Sequence, residues 1–98
     1  MPMKEDKIKP LLQASKSTGP LTVGFLLVPN FSMLAFASAL EPLRAANRMS
    51  GQDLFSWVIS SPTGAAPEAS NGVKVDVQGT LEMLQDCRLV FVLSLIHI

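Results

Sequence analysis

The chain has 98 residues, 48% of them hydrophobic, with 8 Lys or Arg balanced by 8 Asp or Glu. This is ordinary globular material, and its neutral balance excludes the strong positive field of a protein that neutralises many phosphates. The single cysteine, Cys87, excludes an internal disulfide and fits a reducing compartment, which makes cytoplasmic the expected location.

Residues 1–20 carry lysines at 4, 7, 9 and 16, and their longest apolar run is Leu11-Leu12. A signal peptide needs a longer apolar region, so the segment reads as a flexible polar leader closing on Ser17-Thr18-Gly19-Pro20. The ordered domain is expected over residues 21–93. Its first element, Val23 to Val28, is bounded by Gly and Pro signals and reads as a buried strand. It is far short of the roughly 20 apolar residues that cross a bilayer, so no membrane partner is expected.

Pro29-Asn30-Phe31 forms a loop and Ser32 caps a helix, along which Met33, Phe36, Ala37, Leu40, Leu43, Ala46 and Asn47 recur at three-and-four spacing. Pro42 lies inside that helix and predicts a kink or a restart there. Ser50-Gly51 stops it. Asp53 to Ser61 reads as a second strand, rich in aromatic and β-branched residues, in which Trp57 packs against covering helices. Pro62 to Asn71 is a loop, and Asn71-Gly72 turns the chain into an alternating edge strand, Val73 to Val77. A short helix over Thr80 to Gln85 leads to a third buried strand, Leu89 to Leu93.

Strands alternating with crossover helices predict an α/β fold, a partial doubly wound and mostly parallel sheet with helices on both faces. Only three core strands are present, so the set is incomplete and the isolated chain is expected to be marginally stable.

The strand Val23 to Val28, the Pro29-Asn30-Phe31 loop, Leu40-Glu41-Pro42-Leu43-Arg44-Ala45-Ala46-Asn47, the strand around Trp57, Ser60-Ser61-Pro62 and Ala69-Ser70-Asn71-Gly72 together form a restrictive pattern. Over Leu21 to Val92 it resembles the amino-terminal domain of GlxA-type regulators of the AraC/XylS class, itself similar to the ThiJ/PfpI branch of the class I glutamine amidotransferase-like superfamily. The resemblance implies a sensor or dimerisation domain that answers to a small-molecule effector. It also implies that promoter DNA is bound only through a carboxy-terminal helix-turn-helix part outside these residues, and that the parent protein forms a homodimer. Such relatives continue after the third strand into a Gly-Gly loop. Here Leu93 is followed by Ser94-Leu95-Ile96-His97-Ile98, and residues 94–98 read as a non-native tail.

Enzymes of that superfamily pair an elbow cysteine after a strand with an acid near the start of the first helix, where this chain has Ala35. Cys87 precedes its strand, on the edge opposite the usual ligand site, and reads as an inert thiol. No enzymatic activity is therefore expected, and the alternative is a fragment of a ThiJ/PfpI-type cysteine hydrolase. The candidate ligand contacts are Asn30 and Ser32, which follow the first strand, and Glu41 in the helix. Each has a structural role as well: turn formation for Asn30, capping for Ser32, and an i,i+3 ion pair with Arg44 for Glu41. Asn71 and Gly72 are a turn that could border the site, and His97 stands alone. No metal-ligand spacing and no glycine-rich phosphate loop occur, so no cofactor is expected.

Overall fold

The computed structural model of the chain describes residues 19–94. Apart from Gly19, Pro20 and Ser94, the expected leader and tail lie outside the described residues. Three parallel strands form one sheet in the order β2-β1-β3, with β1 at Leu21–Leu27, β2 at Phe55–Ser60 and β3 at Leu89–Leu93. One long helix, α1 (Met33–Ser50), connects β1 to β2, and a 3-10 turn at Leu81–Leu84 precedes β3.

The central place of β1 follows from its composition. Register pairs Val23 with Trp57, Phe25 with Ile59 and Phe91, and Leu27 with Leu93, so these apolar side chains share one face. Against that face α1 lays Phe36, with Met33, Leu40, Leu43 and Ala46 packed beside it. Leu21, Val23, Phe25 and Leu27 are all buried there. Phe25 is at the centre, stacked on Phe91 at 5.5 Å and edge-on to Phe36 at 5.6 Å between ring centroids. Trp57 packs against the same core, as its strand position predicts.

The opposite face is smaller and more polar. The Thr22 and Ser56 hydroxyls share a 2.9 Å hydrogen bond across the strands. Beside them, Gly24 leaves room for the segment before β3: a Cβ there would lie 2.7 Å from Leu84 Cδ2 and 3.0 Å from Cys87 Sγ. Glycine at this position lets the 3-10 turn close onto the strand. Farther along the same face Val90 and Val92 of β3 are exposed.

Helix α1 begins and ends where its capping residues dictate. The Ser32 hydroxyl accepts a hydrogen bond from the Ala35 backbone N–H, and Gly51 ends the helix in the left-handed conformation, donating its N–H to Asn47 O. The restart expected at Pro42 does not occur, since α1 runs as one element across it. Pro42 and Ser38 are both exposed, so water can hydrate the Ser38 carbonyl that Pro42 leaves without its helical donor. Replacing Pro42 by Ala should therefore strengthen the helix. An interior proline costs about 3 kcal/mol relative to alanine and returns about 1 by restricting the unfolded chain, so a net gain of about 2 is expected. Slower amide exchange through 36–48 would confirm it, and unchanged exchange would show that the proline is already accommodated.

Three expectations are corrected. The third strand, expected to be buried, has no buried residue, with Leu89, Val90 and Val92 exposed, because β3 lies at the edge of the sheet. The edge strand at Val73 to Val77 is absent. In its place residues 67–75 form a narrow hairpin closed on itself, with Ala69 N–H donating to Val73 O at 2.8 Å and Val75 N–H to Pro67 O at 3.1 Å. Val75 packs against the core, and Gln78 and Gly79 hydrogen-bond to the sheet, where Gln78 N–H donates to Ile59 O at 2.7 Å and Ser61 N–H to Gly79 O at 3.2 Å. The helix expected over Thr80 to Gln85 is a 3-10 turn of four residues, with no side-chain cap from Thr80. A turn this short gains too few i,i+4 bonds to offset nucleation as an α-helix.

Candidate functional site

In open parallel sheets ligands are held beyond the carboxyl ends of the strands, which makes the β1–α1 loop the candidate site here. The loop is short and tightly fixed. Val28 N–H donates to Leu93 O at 3.0 Å, which extends the β1–β3 pairing past Leu27. Phe31 then turns fully inward, edge-on to Phe36 at 6.1 Å.

Between them Asn30 adopts φ 70°, the left-handed conformation that asparagine tolerates better than most residues. Its backbone N–H donates to Glu68 O at 2.8 Å, while Ser70 N–H donates to Phe31 O at 2.9 Å. These two bonds seat the 67–75 hairpin on the β1–α1 loop, and the buried Ala69 side chain anchors it. The exposed Asn30 is thus held beside Glu68 and Ser70, which are also exposed.

The three residues expected to contact a ligand do not converge. Asn30 and Ser32 flank Phe31 in the loop, with the Ser32 hydroxyl committed to capping α1. Glu41 is exposed on the helix and paired with Arg44, the i,i+3 partner that its spacing predicts. It lies nine residues beyond Ser32, about 14 Å along the axis at 1.5 Å per residue. Glu68 and Ser70 are the neighbours of Asn30 that sequence reasoning missed. The Asn71-Gly72 turn signalled a reversal nearby, and Gly72 does take φ 88°, but nothing in the sequence indicated that the hairpin docks on this loop.

Other polar groups have structural roles. The Ser61 hydroxyl donates to Ala65 O at 2.7 Å, fixing the start of the loop after β2. The buried Ser60 hydroxyl has no hydrogen-bond partner among the described residues. Its register with Leu26 turns it to the face away from α1 and hence away from the helix amino terminus.

Cys87 sits at the amino end of β3, its thiol 3.8 Å from Met83 O and against Gly24. Burial, reinforced by the neighbouring Asp86 carboxylate, pushes this thiol above the usual cysteine range. A raised pKa disfavours the thiolate, so Cys87 lacks the electropositive setting of a catalytic cysteine. Ala35 donates its backbone N–H to the Ser32 cap. Among the described residues no group of three His, Cys, Asp or Glu side chains could hold a metal ion. None of their helices is long and apolar enough to cross a membrane.

No protein-family model matches the chain. It is 47% identical over 70 residues to the HTH-type transcriptional regulator CdhR of Pseudomonas aeruginosa, a match covering 71% of this chain and 20% of that protein. To the HTH-type transcriptional regulator GlxA of Rhizobium meliloti it is 39% identical over 79 residues, covering 81% of this chain and 24% of the other. The crystal structure of an AraC family transcriptional regulator from Pseudomonas putida superposes with a TM-score of 0.71 at 25% identity, covering 80% of this chain and 49% of that one. The chain thus spans about a fifth to a quarter of the length of these curated relatives. Each of these counterparts is a transcriptional regulator. The parallel three-stranded sheet and helix superpose on part of a solved AraC family transcriptional regulator, and most of the chain is similar to part of two HTH-type transcriptional regulators.

Proposed function

We propose that these residues are part of the ligand-sensing or dimerisation domain of an AraC-class regulator that acts in the cytoplasm. Promoter DNA is bound by a helix-turn-helix part outside the 98 residues. The observation that carries this reading is the 39% to 47% identity with two HTH-type regulators over most of the chain. The composition agrees with it, since a chain of zero formal net charge lacks the overall basic charge common in DNA-binding domains. In the parent protein the sheet continues as a doubly wound, amidotransferase-like domain with helices on both faces. The exposed Val90 and Val92 support this, because a parallel sheet is ordinarily covered on both sides.

The effector is a small molecule held beyond the carboxyl edge of β1, with the Asn30 amide as a direct contact and Ser32 as a further candidate. A thermal-shift screen of the intact parent regulator against a small-molecule library, repeated with Asn30→Gly, tests the site. Glycine keeps the positive φ without strain and keeps the backbone bond to Glu68, so the unliganded melting point should not fall. Loss of one ligand hydrogen bond costs about 1 to 1.5 kcal/mol, which weakens effector binding roughly tenfold. An effector that stabilises both proteins equally would remove Asn30 from the site.

A further inference from the structure

We draw no further inference here: the strongest candidate, the apolar patch formed by the exposed Val90 and Val92 on the β3 face away from α1, carries nothing because nothing in the structure shows what covers it.

Discussion

Replacing Phe25 by Ala should abolish the protected core of the chain. Phe25 is completely buried at the middle of the central strand, where its ring meets Phe91 from β3 and Phe36 from α1. It is the one side chain that ties a neighbouring strand and the helix to β1 through ring contacts on both sides. A Phe to Ala change in a core costs about 3 to 5 kcal/mol, the sum of lost transfer energy and the cavity left behind. The aromatic pairs add about 0.5 to 1.5 kcal/mol each beyond area burial. A whole domain typically holds only about 5 to 15 kcal/mol, and a sheet with one long helix stands near the bottom of that range. Amide exchange across 21–27 should therefore rise to the rate of an unstructured chain. The conservative change Phe25→Leu fills most of the volume and should retain protection. If Phe25→Ala kept its slow amides, the core described here would be wrong.

The second large effect is expected at Asn47, whose side chain does the work of a missing strand. Its Nδ2 donates to Phe55 O at 2.8 Å, and its Oδ1 accepts from Phe55 N–H at 2.9 Å. Phe55 is buried, so Asn47→Ala leaves a backbone donor and a backbone acceptor without partners in a place that water reaches poorly. At about 1 to 3 kcal/mol for each orphaned group, the loss should be roughly 2 to 6 kcal/mol. Exchange of the Phe55 amide is the direct readout, and an amide that stayed protected in the alanine variant would contradict the assignment.

Asn47→Asp refines the test. It keeps an acceptor for Phe55 N–H but sets a carboxylate oxygen against Phe55 O. Folding then favours the protonated carboxyl, so its pKa is raised in the folded state. Stability of this variant should be greatest below the unfolded carboxylate range and should fall as pH rises through the folded value.

The same residue explains which parts of the fold could be read from sequence. Elements fixed by their own local pattern came out as expected. Ser32 and Gly51 bound α1, and the apolar run between Gly19-Pro20 and Pro29 marks β1, whereas the apolar run Leu89 to Leu93 forms a strand without the burial expected of it. The expected edge strand failed because alternation at Val73, Val75 and Val77 only says that a segment could pair, not what it pairs with. The outer edge of β2 is instead satisfied largely by amides. Asn47 serves Phe55, and the Gln78 side chain accepts from Ile59 N–H at 2.6 Å while its backbone N–H donates to Ile59 O. A side-chain amide replacing strand hydrogen bonds leaves no periodic signal.

For the candidate site, Asn30 and Ser32 lie at the carboxyl end of β1, as their position directly after a strand implies. Glu41 was drawn in by the Leu-Glu-Pro-Leu-Arg pattern, and the helix carries it away from the loop to Arg44. The docking of the 67–75 hairpin rests on two backbone hydrogen bonds, which depend on conformation more than on residue type.

We propose that this chain belongs to the sensing part of a regulator whose DNA-binding part lies elsewhere in the same protein. The most direct measurement is the nucleotide sequence of the source locus across the codons for Leu93 to Ile98 and several hundred bases downstream. The account predicts a coding frame that continues through a Gly-Gly loop into two helix-turn-helix units. A stop codon directly after Ile98, with no such units encoded downstream, would contradict it.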